Sequence, residues 1–417
     1  MAYLQKSTHF NNWIFTGDEL RKINRLRQLK ASRALRVEHQ QYVAAKAAAA
    51  AASGGTASRA MRKPRSFAAL VPKTTTAVRD VNDWNDEIFD ESPADLDAAE
   101  QQEAQEAAAV TPAPLEFLTI EQERVVREFY EVKIQESCSQ LFRTSDKVKC
   151  CAVMLYKRFY LSNSVMEFHP KFIVPTAIYV AGKVEEQYIS VDTIAEQLHV
   201  DHKHVIGHEM VLLEGTRFQL IMYHPFRALL GFVDDFRGYA KAKAKELPLD
   251  TLQKLHSNSC VVVNDLLLTD LPLTYYPPFL ALAALAYVVE ELGGAVDAIT
   301  TQSALTRADV LEYIRRSKFA QADQIDAVVT QMDEIRHVYQ SFKEAQLVKE
   351  KDAEALAKQL KSLYKKLKAF HEEEKSSSSK EKDGKEKKSK KDDKKRKSVD
   401  SKKDDKKKAK KAKKEKK

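Results

Sequence analysis

The chain has 417 residues, of which 31% are charged and only 11 are glycine, a composition that favours a helical protein of two or three domains. The formal net charge is +9, but residues 371–417 hold 23 basic and 12 acidic side chains, a net of +11, which leaves −2 for the remainder. A nearly neutral body argues against nucleic-acid binding outside this tail. The sequence has no apolar run of the roughly 18 residues that a membrane span needs, so we expect no membrane contact.

Two further features of the composition concern the compartment. Residues 1–40 lack the basic start and apolar core of a secretory signal. Four cysteines without metal-ligand spacing indicate a reducing environment.

The first predicted element is a helix over residues 16–36. Thr16 and Glu19 have the spacing of a capping box, which satisfies two free backbone amides. Apolar residues follow at intervals of three, namely Leu20, Ile23, Leu26 and Leu29. Residues 1–40 are therefore predicted to form an N-terminal accessory helix. This helix either caps a core or offers its basic residues to acidic or phosphorylated groups of a partner.

Residues 41–114 depart from globular composition and predict a disordered insertion. An alanine tract leads into an acidic stretch, and residues 80–106 contain 11 acids and no base. Such a segment has little to bury and repels itself. Trp84, Ile88 and Phe89 lie within the acid, so an alternative is a short acidic–aromatic segment that orders on a partner.

Two successive groups of helices make up the predicted body. The first opens with a capping box at Thr119 and Gln122. Its five predicted helices are residues 119–142, 146–161, 170–186, 190–199 and 202–218. After a break at His224 and Pro225, five more are predicted over residues 225–244, 249–268, 277–292, 307–316 and 322–345. The similar number and length of the helices suggest two copies of one fold.

The C-terminal region combines a helix with a lysine-rich tail. Apolar residues alternate spacings of four and three over about two heptads. These residues are Leu356, Leu360, Leu363, Leu367 and Phe370. We expect this helix to dock on the body; an intermolecular coiled coil is the less favoured alternative. Residues 371–417 lack core-forming side chains and are predicted to be disordered.

Within the tail, one basic run has the composition of a localisation or nucleic-acid signal. It consists of Lys394, Lys395, Arg396 and Lys397. It predicts nuclear import, or a weak, salt-sensitive contact with nucleic acid that the interspersed aspartates would dilute.

The most distinctive stretch is residues 147–186. It contains the blocks Lys157-Arg158-Phe159-Tyr160-Leu161, Asn163-Ser164-Val165-Met166-Glu167, His169-Pro170 and Lys183-Val184-Glu185-Glu186. In residue type and spacing this stretch resembles the cyclin box, and within the cyclin family it is most similar to cyclin H. The resemblance extends over residues 13–36 and 118–342.

The resemblance implies a fold and a division of the chain. It implies an all-α protein with two tandem five-helix cyclin boxes, accessory helices at both ends, and a disordered insertion and tail. The first box is assigned to residues 115–223, the second to 224–320 and the C-terminal helices to 321–370.

The resemblance also implies a contact site for a kinase. In the family, a lysine that ends the third helix and a glutamate on the fifth bond to the kinase's activating helix; these positions match Lys183 and Glu209. An apolar surface around that pair is predicted to press on the same helix. Its candidates are Phe172, Ile178, Tyr179 and Tyr188. Without the resemblance, an intramolecular ion pair and core packing would be the expected roles of these six residues.

The function that the resemblance implies is regulatory, with no catalysis by this chain. The partners would be a cyclin-dependent kinase catalytic subunit, a RING-finger assembly factor and the transcription factor II H core. Together they would form the nuclear CDK-activating kinase, which acts in cell-cycle control and on the RNA polymerase II tail. Alternatives are another transcriptional cyclin such as cyclin C, a promoter-binding general transcription factor with cyclin-like repeats, or a chromatin scaffold that works through its tail.

Two other signals predict no chemistry. His204 and His208 have the i, i+4 spacing of a helical metal pair, but no third ligand completes a site, so no metal is expected. Cys150 and Cys151 are adjacent and face different sides of a helix, so we interpret them as packed thiols. We find no phosphate-binding loop, nucleophile motif or kinase motif and expect no cofactor.

Overall fold

The computed structural model describes residues 6–52, 93–109, 116–243, 245, 247–295, 305–317 and 324–371, and these residues form helices without any strand. No helix in these ranges is long and apolar enough to cross a membrane. The predicted all-α fold is thus confirmed for the part of the chain that is described.

The helices follow one another in two successive groups, with additional helices before and after them. The N-terminal helices are α1 (Thr8–Trp13), α2 (Gly17–Ala52) and α3 (Pro93–Ala108). The first group is α4 (Ile120–Glu136), α5 (Asp146–Ser162), α6 (Pro170–Val184), α7 (Val191–Gln197), α8 (His202–Gly207) and α9 (Glu209–Gly215). The second group is α10 (Pro225–Ala242), α11 (Leu249–Leu266), α12 (Pro277–Ala295) and α13 (Arg307–Arg316). The C-terminal helices are α14 (Ile325–Lys351) and α15 (Ala353–His371).

Helix starts agree closely with the sequence signals. In the first predicted capping box, the Thr16 amide donates to Glu19 Oε2 at 2.7 Å and the Glu19 amide donates to Thr16 Oγ1 at 3.3 Å. Thr119 and Gln122 form the second box. The predicted helix 202–218 is divided at His208 into α8 and α9, and the C-terminal end of α4 continues as one π-helical turn, Ser137–Leu141.

Two hydrophobic cores organise the molecule. The first lies among α4–α9 and includes Trp13 of the N-terminal region and Leu363 and Leu367 of α15. The second lies among α10–α13 and includes Met332 and Ile335 of α14. The accessory helices therefore bury their apolar faces against the two groups, and α15 docks on the body as predicted.

The prediction of a fully disordered insertion over residues 41–114 is wrong for residues 41–52 and 93–108. Residues 41–52 continue α2, because alanine has the highest helix propensity of the amino acids. Pro93–Ala108 forms α3, whose acidic side chains pair with arginines of α2 and so escape the self-repulsion that favoured disorder. Residues 53–92, 110–115 and 372–417 lie outside the described residues, and with them Trp84, the basic run Lys394–Lys397 and the disorder predicted for the tail.

Candidate functional site

The predicted pair Lys183 and Glu209 meets at one edge of the first group of helices. Lys183 lies in the last turn of α6 and Glu209 in the first turn of α9, and Lys183 Nζ is 2.5 Å from Glu209 Oε1. The Nζ atom also lies 4.2 Å from the centre of the Tyr179 ring. Burial lowers the pKa of Lys183, but its hydrogen bonds to Glu209 and Tyr179 outweigh burial and raise that pKa above its usual value. The lysine is therefore a fixed positive charge.

The chain around Lys183 is held in place by a tight turn after α6. The Gln187 amide donates to the Gly182 carbonyl at 2.9 Å, and a Cβ on Gly182 would lie 2.8 Å from the Gln187 carbonyl oxygen. Glu186 has a positive φ of 57°. The Gln187 side chain in turn accepts from the Ser145 amide at 2.9 Å. This turn fixes the direction in which α6 presents its last residues.

Both side chains of the pair keep hydrogen-bonding capacity for a partner. Lys183 is 37% exposed and Glu209 26% exposed. An ammonium group has three donors and a carboxylate has about four acceptor sites, so one mutual contact leaves most of them available. Such a pair can serve the free carbonyl and amide groups at the end of another helix.

The four apolar candidates around the pair differ in their exposure to solvent. Tyr188 is 78% exposed, and Phe172 and Tyr179 are half-buried. Ile178 is fully buried in the first core, so its prediction as a contact residue is wrong. Helix α6 is apolar on nearly all sides, and a helix of this kind is enclosed by its neighbours.

Several apolar residues near Glu209 are exposed, although the sequence analysis did not predict them as contact residues. Ile206 and Met210 flank Glu209 on α8 and α9, and Phe218 and Ile221 follow α9; each of the four is more than half exposed. Phe218 also has a φ of 56°, which is costly for an aromatic residue. Their position outside the buried stripe of Val205 and Leu212 was the only sign of this exposure in the sequence. The sequence alone does not reveal whether another part of the chain packs over them.

The histidine cluster is used in aromatic packing. The rings of His204 and His208 lie 4.6 and 5.5 Å from the Phe172 ring, centre to centre. His208 Nδ1 lies 2.7 Å from the His204 carbonyl oxygen, and burial lowers the pKa of His208. These contacts connect α6 to α8 and α9 beside the Lys183–Glu209 pair.

The end of α6 also joins the two groups of helices. Glu185 Oε1 lies 2.8 Å from Nε2 of His224, the residue before α10, and both side chains are largely buried. Cys150 and Cys151 are buried in the same part of the first core, as predicted. The block Lys183-Val184-Glu185-Glu186 thus contributes to two contacts. Lys183 pairs with Glu209 at the edge of the first group, and Glu185 pairs with His224 between the two groups.

Comparison with known proteins shows what the chain is similar to. Residues 125–221 match the family described as "Cyclin, N-terminal domain", and residues 224–370 match "Cyclin C-terminal domain". Cyclin-H1-1 of Arabidopsis thaliana is 38% identical over 179 residues, 43% of this chain and 52% of that protein. Cyclin CCL1 of Saccharomyces cerevisiae is 34% identical over 175 residues, 42% of this chain and 44% of that protein. The chain thus spans about half the length of these relatives.

A solved structure extends the similarity to the fold of nearly the whole chain. A chain in the structure of the CAK complex from Chaetomium thermophilum bound to ATP-gamma-S superposes with a TM-score of 0.59 and 18% identity. The superposition covers 88% of each chain. At this identity the likeness concerns the fold alone.

Proposed function

The chain belongs to the cyclin family, and on that premise we propose that it binds a cyclin-dependent kinase and holds it in the active conformation. The single observation that carries the proposal is the partly exposed Lys183–Glu209 pair, which lies among exposed apolar residues of α8 and α9. In this proposal the chain contributes contacts, while the kinase supplies the catalytic groups.

The chemistry of the pair fits the end of a mobile kinase helix. Lys183 would donate to free carbonyls and Glu209 would accept from free amides, while Tyr188, Met210 and Phe218 would cover the apolar side of that helix. In a protein kinase this helix must be placed so that its glutamate pairs with the lysine that binds ATP. A cyclin that binds only the active conformer shifts the kinase population by its differential affinity for the two conformers.

We further propose that the chain is a cyclin H-like subunit of a CDK-activating kinase that acts in transcription and cell-cycle control. The identity to Cyclin-H1-1 supports this assignment over other cyclins. The other partners would be a RING-finger assembly factor and the transcription factor II H core. Its location would be the nucleus, with Lys394, Lys395, Arg396 and Lys397 as import signal.

The domain limits are part of the same proposal. The two cyclin boxes would be residues 115–223 and 224–320, with the accessory helices outside them. The separate cores of the two helix groups support the boundary at residue 224. The second core and the matched C-terminal domain both extend beyond residue 320, into α14.

The experiment that tests kinase binding is recovery of a kinase from native extract by wild type and by the double variant Lys183→Ala/Glu209→Ala. We expect the variant to recover at least about tenfold less kinase activity, the size of effect typical of a central interface residue. Lys243→Ala/Glu312→Ala is a matched control, because that pair is 2.6 Å apart and its side chains are 32% and 38% exposed. Equal recovery by all three proteins would overturn the assignment of the contact pair.

A further inference from the structure

Helix α3 carries a regular row of carboxylates that faces arginines of α2. We call the carboxylates the acidic ladder; they are spaced three residues apart and consist of Asp97, Glu100, Glu103 and Glu106. We call the arginines the arginine ridge; it consists of Arg25, Arg33 and Arg36. The order of the pairs shows that α2 and α3 run in the same direction.

Two of the pairs are bidentate, with two hydrogen bonds between one arginine and one carboxylate. Arg25 donates from Nε and Nη2 to the two oxygens of Glu100 at 2.8 and 3.0 Å. Arg36 donates from Nε and Nη2 to the two oxygens of Glu103, both at 2.9 Å. This geometry matches a planar guanidinium to a planar carboxylate and is the most specific form of ion pair. The ridge therefore recognises carboxylates at defined positions along a helix.

Asp97 and Glu106, the two end residues of the acidic ladder, also pair with the arginine ridge. Arg25 Nη2 lies 2.5 Å from Asp97, and Arg36 Nη2 lies 2.6 Å from Glu106. Arg33 Nε adds a longer contact of 3.7 Å to Glu103. Each end of the ridge thus takes two carboxylates that are one helical turn apart.

The apolar part of the α2–α3 contact is small. Among the described side chains of α3, the buried apolar ones are Leu96 and Ala107. Asp97, Glu100 and Glu106 remain at least partly exposed, and ion pairs of this kind are individually weak and screened by salt. The Arg36–Glu103 pair is largely buried and is the strongest contact that a competitor must replace. Helix α3 packs mainly on α2, so its attachment to the described part of the chain depends largely on these ion pairs.

We propose that the arginine ridge is a docking site for an acidic helix of a partner protein, and that α3 is a built-in competitor that covers it. The partner helix would carry carboxylates at intervals of three residues and one leucine in the place of Leu96. Nucleic acid fits less well, because its phosphates do not reproduce that row or the buried leucine. This site is separate from the Lys183–Glu209 pair and does not depend on kinase binding.

The test uses the full chain and a fluorescent peptide with the sequence of residues 93–108 as the probe. In the variant Glu100→Lys/Glu103→Lys, two lysines repel Arg25 and Arg36 and uncover the ridge. We expect this variant to bind the peptide at least about tenfold more tightly than wild type, because the competitor no longer occupies the site. The affinity should fall as the NaCl concentration rises.

Two further variants in the uncovered background locate the binding. Arg25→Gln/Arg36→Gln should abolish it. Arg21→Gln should leave it unchanged, because Arg21 is 75% exposed and pairs with Asp18 of its own helix. Circular dichroism of each variant checks that the helices remain folded.

Three results would overturn the proposal. The first is equal peptide binding by wild type and by the uncovered variant. The second is binding that survives loss of Arg25 and Arg36, as expected if the lysine tail captures the peptide. The third is a single-stranded RNA that binds the same arginines more tightly than the peptide, which would assign the ridge to a different class of partner.

Discussion

The two groups of helices, which we call the first repeat (α4–α9) and the second repeat (α10–α13), bury different kinds of side chain. The first encloses complete ion pairs: Arg27 and Glu123 are fully buried with Nη2 and Oε2 3.1 Å apart, and Lys157 and Glu131 pair at 2.7 Å. Among the described residues of the second repeat, the only buried polar side chain other than tyrosine is Ser259. There, tyrosines such as Tyr313 reach from the core to a carboxylate near the surface.

Because of this difference, the positions of the helices are specified more strictly in the first repeat than in the second. Arg27 belongs to α2 and donates to the Tyr160 carbonyl at 2.8 Å, while the Ser164 hydroxyl donates to Glu123. These directional bonds fix the accessory helix on the first repeat, which also carries the Lys183–Glu209 pair. Buried charges add little net stability, but they penalise any arrangement that leaves one of them unpaired.

The largest expected effect comes from breaking this buried pair. Burial lowers the pKa of Arg27 to about 10, so the side chain stays charged near neutral pH. Arg27→Met would leave the Glu123 charge buried and unpaired, and we expect a loss of about 3–5 kcal/mol in the free energy of unfolding. Urea denaturation of wild type and variant measures this loss.

Two comparisons sharpen that result. The double variant Arg27→Met/Glu123→Met removes both charges and should recover part of the lost stability. The Tyr160 carbonyl and the Ser164 hydroxyl still lose a buried partner. In the second repeat, Tyr313→Phe removes the 2.8 Å bond to Asp235 and should cost only about 1 kcal/mol. If Arg27→Met costs no more than Tyr313→Phe, the two cores do not differ in the way described.

A second effect is acid sensitivity of the N-terminal contact. His9 Nδ1 accepts from the Tyr223 amide at 3.1 Å, and burial, followed by the charges of Arg158 and His224, lowers the pKa of His9 to about 3. The unfolded chain binds this proton near its ordinary pKa of about 6.5 and the folded chain does not. The contribution of His9 is therefore fully present above that value, and at pH 5 about 2 kcal/mol of it is lost.

The measurement is the difference in unfolding free energy between about pH 8 and about pH 5, in wild type and in His9→Gln. Comparison with the variant removes the titration of all other groups. A variant that loses as much stability on acidification as wild type would show that His9 does not carry the effect.

The smallest expected effect has opposite signs for stability and binding. Phe218 is 57% exposed with a φ of 56°, a conformation that glycine adopts without strain. Phe218→Gly should raise the free energy of unfolding by about 1 kcal/mol and weaken kinase binding about tenfold. The exposed His199, with a φ of 52°, offers the matched change His199→Gly, which should leave binding unchanged. A Phe218 variant that binds as well as wild type would remove this residue from the contact face.

The sequence predicted most helices because their signals are local. Capping boxes and periods of three and four located the start of α4 and the stripe of α15 without knowledge of the fold. Helix α3 was missed because its carboxylates are stabilised by arginines that precede them by about 70 residues in the chain, as with Arg25 and Glu100.

The candidate site was predictable only in part. The resemblance assigned Lys183 and Glu209 to a kinase contact. Their ion pair is the arrangement expected even without the resemblance, so the kinase contact stays a prediction. Ile178 was misassigned because α6 is enclosed by its neighbours, and Met210 and Phe218 were missed because exposure depends on what the tertiary fold leaves uncovered. Periodicity identifies a buried face, but it does not identify an apolar residue that the fold leaves in solvent.

The most direct test of the central claim is activation of a purified cyclin-dependent kinase by the purified chain. Kinase activity would be measured against increasing concentrations of wild type, Lys183→Ala/Glu209→Ala and the control Lys243→Ala/Glu312→Ala. We predict that wild type and control activate equally, while the first variant needs at least about tenfold more protein. Equal activation by all three proteins, or no activation by wild type, would contradict it.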